Sequence, residues 1–187
     1  MSLGAARDEV TAQLRALAHP IRLRILSLLT GAPMTAAEVA RELGLTHANA
    51  SYHVRQLSAV GALEVAGEER IRGGVAKRYR HVPDLKDGPP REPGQDYRPQ
   101  RRAVYAAMAT ELRRRARHVK DSPGRAHLTD AELWVDPDTW ADFRTRVQAA
   151  SDALHRAAQA PRTPGAIRVN ATMALFEMEI FEMDTGA

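Results

Sequence analysis

The sequence predicts a mainly α protein with a small amount of β structure. Apolar residues recur every three or four positions through the first sixty residues, and the pattern changes to alternation after Gly61. A stretch rich in proline and glycine then separates two halves. We therefore expect an N-terminal domain over residues 1–82, a linker over 83–99 and a C-terminal α+β unit over 100–187.

The composition fits a protein with a packed core and excludes several kinds of chemistry. The 187-residue chain is 44% hydrophobic and has no cysteine, which excludes disulfides, thiolate nucleophiles and cysteine-based metal sites. The sequence contains neither an apolar run of membrane-spanning length nor a signal-peptide core, so we expect a soluble, cytoplasmic protein. The formal net charge of +4 favours polyanionic partners.

The first two helices are predicted by apolar spacing and by one proline. Val10, Leu14 and Leu17 share one face of a helix over residues 8–18. Pro20 interrupts this pattern, because the residue before a proline is pushed out of the helical region. The same proline suits the first turn of a second helix, where its missing N–H costs nothing.

A third and a fourth helix follow, with a short turn between them. Thr35 and Glu38 have capping-box spacing at the start of the third helix, and Gly44 suits its left-handed end. Thr46 is placed to cap the fourth helix only two residues later. Two short helices joined by so tight a turn form a helix-turn-helix, whose second helix we place at 46–60.

The polar face of the helix over 46–60 contains no carboxylate. A helix that lies against phosphates and base edges would lack acids, since each would repel the DNA backbone. We therefore predict that its polar side chains contact DNA: Thr46, His47, Asn49, Ser51, Tyr52, His53, Arg55 and Gln56. His53 and Arg55 are the expected phosphate contacts, although His53 could equally be a buried hydrogen-bonding residue.

The residues after Gly61 predict a β-hairpin. Residues 62–66 alternate in polarity, a Gly-Gly pair follows, and residues 77–82 form the expected returning strand. A hairpin directly after the DNA-contacting helix is a wing, which can reach neighbouring phosphates. We assign this role to four basic residues: Arg70, Arg72, Lys77 and Arg78. The alternative is a solvated hairpin that does not contact DNA.

Three stretches of the N-terminal domain carry a family resemblance. They are residues 17–26 (LAHPIRLRIL), residues 35–45, and residues 51–57 followed by Gly61-Ala62-Leu63. On these stretches the segment from Arg15 to Val82, 68 of the 187 residues, resembles the ArsR/SmtB-like winged helix-turn-helix regulators of prokaryotes. The resemblance implies a repressor. Metal sensors of this family use cysteines in the third helix, or Asp, His and Glu of a C-terminal helix, and this chain matches neither pattern. We therefore expect no metal and no other cofactor.

The C-terminal half is predicted to alternate helices and strands. The pattern indicates a helix over 100–120, a strand over 131–135, a helix that starts at Pro137 and a strand over 167–178. This order suggests a small α+β unit that adds to a dimer or holds an effector. Its aromatic residues form either a small core or an effector pocket: Trp134, Trp140, Phe143 and Phe176.

The sequence lacks the local motifs of common enzyme classes. It has no Gly-x-Ser-x-Gly, phosphate loop or dinucleotide fingerprint, so we predict no enzymatic activity. The prediction is instead a DNA-binding transcriptional regulator, a homodimer that reads a palindromic operator. Its dimer surfaces would be the first helix and the helix over 100–120. The alternative is a winged-helix protein-interaction adaptor with no specific DNA target.

Overall fold

The computed structural model describes residues 3–71, 74–82, 96–120 and 126–179. It is mostly helical, with one three-stranded antiparallel sheet in the described residues. The elements are α1 (Leu3–Leu17), α2 (Pro20–Gly31), β1 (Met34–Thr35), α3 (Ala36–Leu43), α4 (His47–Ala59), β2 (Leu63–Ile71), β3 (Gly74–His81), α5 (Arg98–Ala116) and α6 (Pro137–Arg156). The predicted class, mainly α with an N-terminal winged helix-turn-helix, is confirmed. Arg72 and most of the predicted linker lie outside the described residues.

The core of the N-terminal domain lies where α2, α3 and α4 meet. Its largest fully buried side chains are Ile25, Leu29, Val39, Val54 and Leu57. Each such burial stabilises the fold by about 1.5–3 kcal/mol relative to an exposed side chain. These residues recur at intervals of three or four within their helices, which is why the amphipathic pattern predicted them.

The ends of α3 and α4 carry the predicted caps. Thr35 Oγ1 accepts the backbone N–H of Glu38 at 3.2 Å, and the Thr35 N–H donates to Glu38 Oε2 at 2.7 Å. Gly44 ends α3 with a φ of 65°, in the left-handed region that glycine adopts without strain. Thr46 Oγ1 accepts the Asn49 N–H at 3.2 Å at the start of α4. These bonds fix the turn between the two helices.

The sheet is larger than the sequence predicted. The two strands of the hairpin extend from Leu63 opposite His81 to Ile71 opposite Gly74, with a bulge between Val65 and Gly67. A third strand, β1, pairs with β3 and was not predicted. At two residues β1 is too short to show an alternating pattern, and it exists only because β3 lies beside it.

The two strands predicted in the C-terminal half are wrong for the described residues. Residues 131–135 and 167–178 have no strand structure. Their sequences suit a strand, but a strand also needs a neighbour for its backbone hydrogen bonds, and no described segment pairs with either.

The two helices of the C-terminal half are present. α5 begins at Arg98, so Pro99 belongs to the first turn of the helix and not to the predicted linker. α6 begins after Asp136, whose side chain accepts the Thr139 N–H at 2.8 Å. None of the α6 residues is buried, so the core expected along its apolar stripe does not form within the described chain.

The segment after α6 crosses the N-terminal domain. A Cβ on Gly31, at the end of α2, would lie 2.2 Å from the carbonyl oxygen of Gln159, so only glycine fits this crossing. Arg162 forms an ion pair with Glu42 of α3 at 2.7 Å. The C-terminal segment is therefore attached to the helix that precedes α4.

A histidine of β3, His81, is half-buried against α2. Thr30 Oγ1 donates to the Leu26 carbonyl at 2.9 Å and lies 2.9 Å from His81 Nδ1. The Thr30 hydroxyl has a single hydrogen, which it donates to Leu26. His81 Nδ1 therefore carries the hydrogen of the second bond and donates it to Thr30 Oγ1. Burial, with a smaller effect from His155, lowers the pKa of His81 to about 4.

This depressed pKa predicts a loss of stability in mild acid. The unfolded chain protonates His81 near pH 6.5, whereas the folded state protonates it only near pH 4. The histidine therefore has no effect above pH 6.5 and destabilises the fold progressively as the pH falls towards 4, by about 2 kcal/mol. We expect His81→Asn to remove this part of the loss in urea unfolding at pH 7.5 and 4.5. His118→Asn, at an exposed position, is the control. A His81→Asn profile parallel to that of the wild type would contradict the assignment.

Candidate nucleic-acid interface

α4 has one face in the core and one face open to solvent. Ala50, Val54 and Leu57 are at most 1% exposed. The opposite face carries six of the predicted contact residues as exposed side chains: Thr46, His47, Asn49, Tyr52, Arg55 and Gln56. A seventh, Ser51, is half-buried, with its Oγ 3.4 Å from His47 Nε2.

The exposed face of α4 suits an anionic partner. The helix contains no acidic residue, and its positive N-terminal end lies beside the exposed Thr46, His47 and Asn49. Further along, Tyr52 and Gln56 are one turn apart, with Arg55 beside them. The face therefore combines hydrogen-bonding groups for base edges with a cation for phosphate.

His53 differs from the other predicted residues because it lies in the interior. It is 6% exposed and packs against His19, with ring centroids 4.7 Å apart. Burial lowers its pKa, with smaller contributions from His19 and Arg22, so the ring stays neutral. We therefore exclude His53 as a phosphate contact; of the two alternatives that the sequence left open, the structure favours the buried residue. Its Nδ1 has no hydrogen-bond partner in the described residues.

His19 is a positioning residue that sequence reasoning missed. Its Nδ1 accepts the Ile21 N–H at 3.2 Å, which caps α2, while its ring supports His53 of α4. The local sequence could have predicted this cap, because a polar side chain directly before Pro20 is in position to cap the helix that this proline starts.

The wing is less basic than its cations suggest, because acids of β2 lie opposite them. Arg80 of β3 pairs with Glu64, and Lys77 lies opposite Glu68. Arg70 and Lys77 are both exposed, whereas Arg72 lies outside the described residues. Within the described part of the predicted wing set, Arg70 and Lys77 are therefore the side chains best placed to reach phosphates.

Arg78 connects the wing to α3. Its guanidinium lies 2.6 Å from Glu69 Oε2 and 3.3 Å from Glu38 Oε2, and it donates to the Pro33 carbonyl at 2.8 Å. Burial favours the protonated form of Glu38, but hydrogen bonds from Thr35 and the charge of Arg78 outweigh it and lower the pKa of that carboxyl. Arg78 therefore links the wing to α3 and to the chain before β1, and the DNA contact predicted for it stays a prediction.

The comparisons with known proteins agree with this geometry. A family model described as a helix-turn-helix domain matches residues 17–66, which include α2, α3, α4 and the start of β2. This segment is similar to a helix-turn-helix domain over 50 of the 187 residues. The match supports a DNA-binding regulator in general, with DNA as its partner, and points away from an enzyme. No curated protein matches the chain significantly. None of the described helices is long and apolar enough to span a membrane.

The contacts of Arg78 predict that its loss affects stability more than the loss of another wing cation. Arg78→Met removes charge-assisted bonds to two carboxylates and one carbonyl, which should lower the free energy of unfolding by about 1–3 kcal/mol. Arg70→Met, on the exposed part of the same hairpin, should change it by less than about 0.5 kcal/mol. Urea unfolding of both variants measures the difference. Equal effects of the two substitutions would show that Arg78 does not anchor the wing.

Proposed function

We propose that this protein is a sequence-specific transcriptional regulator that reads DNA through α4. The observation that carries the proposal is the exposed face of α4, which is rich in hydrogen-bonding side chains and free of acids, on a helix whose opposite face is fixed in the core. The helix enters the major groove, which admits an α-helix and presents a distinct pattern for every base pair.

Within this proposal the side chains of α4 have different tasks. Asn49 and Gln56 carry amides, the groups that bind adenine by two hydrogen bonds, and both are exposed. Arg55 and the helix N-terminus contact phosphates and fix the register of the helix in the groove. Arg70 and Lys77 of the wing add phosphate contacts that favour every sequence alike.

The regulator acts as a homodimer on a palindromic operator. Two copies related by a two-fold axis place their α4 helices in successive major grooves, about 34 Å apart. The resemblance to ArsR/SmtB-like regulators favours repression over activation and a prokaryotic, cytoplasmic protein. An effector would bind outside the helix-turn-helix, in the C-terminal half.

Selection from a random-sequence DNA pool tests the proposal. The full chain should enrich an imperfect palindrome, and binding to it in a mobility-shift assay should weaken steeply with salt. Gln56→Ala should weaken binding to the selected DNA by about 1–3 kcal/mol, with little change for scrambled DNA. Gln148→Ala is the matched control, because it removes an exposed glutamine from α6.

Two outcomes would contradict the proposal. If no sequence is enriched and no salt-sensitive shift occurs, the winged helix serves as a protein-interaction adaptor. If Gln56→Ala and Gln148→Ala bind the selected DNA equally, Gln56 does not read the sequence.

A further inference from the structure

The C-terminal half exposes an unusual amount of apolar surface. Most of the large hydrophobic side chains that are exposed in the described residues belong to 128–178: Leu128, Leu133, Trp134, Val135, Phe143, Leu154, Ile167, Val169, Met173, Leu175, Phe176 and Met178. Trp134 is 84% exposed and Ile167 81%. Exposed apolar surface in this amount marks a site of protein association.

Residues 170–179 run along α5 in the opposite direction. Asn170 accepts a hydrogen bond from Arg115 at 3.1 Å, Phe176 stacks on Tyr105 with ring centroids 4.9 Å apart, and Glu179 pairs with Arg98. From residue 115 to residue 98 the helix rises about 25 Å. Nine residues of the segment cover that length at about 2.8 Å each, close to the 3.3 Å rise of a strand.

An extended chain of this kind has two sides, and only one of them faces α5. Up to residue 176, the side chains that contact α5 have even numbers, Asn170 and Phe176, whereas Glu179 reaches Arg98 beyond that stretch. Because side chains alternate along an extended chain, the odd-numbered residues between 167 and 175 point away from the helix. All five of them between 167 and 175 are apolar and exposed: Ile167, Val169, Ala171, Met173 and Leu175. We name this set the odd face.

The backbone of the same segment is also without a partner. No described residue forms a backbone hydrogen bond with residues 167–179. Residues 128–135 form none with a described residue either, and they carry the exposed side chains of Leu128, Leu133, Trp134 and Val135. Unpaired edges with apolar side chains favour the addition of another strand.

We propose that a second copy of this chain covers the odd face and residues 128–135, with strand pairing about a two-fold axis. A two-fold interface brings the same surface together twice, so the β-prone segments of one copy supply the missing neighbours for those of the other. The inference rests on the homodimer of the proposed function and deepens it by naming the surface through which the two copies meet, with or without DNA.

Charge complementarity supports a second copy as the occupant. Residues 128–135 include two exposed acids, Asp130 and Glu132, which form no ion pair with a described residue. α5 carries Arg102, Arg113 and Arg117 as exposed cations. The chain thus exposes both signs of charge, as a contact between two copies with complementary charges requires.

The available area matches a stable dimer. Trp134 is 84% exposed and contributes on the order of 200 Å², since a large aromatic side chain buries up to about 250 Å² when fully covered. A stable interface needs about 800 Å² per partner, and the other large exposed side chains of the two segments contribute the rest: Leu128, Leu133, Val135, Ile167, Val169, Met173 and Leu175.

The two surfaces first expected to form the dimer are less available. α1 packs against α5 within one chain, where Val10 is 6% exposed and Ala107 5%. Leu17 packs against the core of the N-terminal domain. The apolar side chains of α1 and α5 are therefore partly buried within the protomer, whereas those of the odd face are exposed.

Light scattering of the full chain without DNA tests the proposal with a matched pair of valines. Val169 on the odd face is 60% exposed, and Val75 on the wing is 58% exposed. The wild-type protein should have an apparent mass twice its 20.6 kDa chain mass. Val169→Lys should weaken the dimer at least about tenfold by placing a charge in an apolar contact, whereas Val75→Lys should leave it unchanged. A monomeric wild type, or a Val169→Lys variant that dimerises as well as the wild type, would overturn the proposal.

A second measurement covers the case in which Val169→Lys fails to fold. The chain has no cysteine, so single cysteines can be placed at Val169, Ala171 and Met173 with no background. When the two-fold axis passes through one of these positions, antiparallel pairing brings that residue next to its own counterpart, within the roughly 4 Å between Cβ atoms that a disulfide needs. When the axis passes midway between two of them, it brings these two positions together, so the variants are oxidised singly and in pairwise mixtures. Oxidation should then give a covalent dimer for one variant or one mixture, but not for Val75→Cys. No cross-link in any of these samples would overturn strand pairing of this segment. Since neither experiment uses DNA, their failure is distinct from a failure of DNA binding.

Discussion

The close packing of α3 against α4 is the constraint on which the rest of the structure depends. Ala40 and Ala50 are small enough to be buried in the N-terminal core, and Gly44 turns the chain in a left-handed conformation that most residues avoid. α4 is thereby fixed by its apolar side, and its polar side must face outward. The exposed face that we propose reads DNA is therefore a consequence of how the core packs.

α3 also fixes the parts that surround α4. Glu38 at its start binds Arg78 of the wing, and Glu42 near its end binds Arg162 of the C-terminal segment. The wing, α4 and the C-terminal segment therefore all contact the same helix, α3. If a second copy covers the C-terminal half, the same attachment sets where the two α4 helices lie, which is what a palindromic operator requires.

The features that were predicted from the sequence are mostly local. The capping box of Thr35 and Glu38, the Thr46 cap and the Gly44 turn each depend on residues a few positions apart, so their spacing alone predicts them. The features that could not be predicted depend on distant residues. His53 is buried because His19 lies beside it, and Arg78 is occupied because the strand register brings it to Glu69.

The strands expected at 131–135 and 167–178 also depend on distant residues, which the local sequence does not predict. Their residues alternate as a strand requires, but pairing depends on a neighbour, and no described segment of the chain supplies one. The prediction recognised the pattern correctly and assumed that the partner was internal. The proposed dimer accounts for both the pattern and the absence of a partner.

The central claim is that α4 lies in the major groove, and guanine N7 faces that groove. Dimethyl sulfate protection on DNA selected by this protein is therefore the most direct test. The account predicts two protected clusters whose centres are about 10 base pairs apart, and a loss of protection in both when Asn49 and Gln56 are replaced by alanine. Bound DNA whose guanine N7 atoms react as freely as in the absence of protein would contradict it.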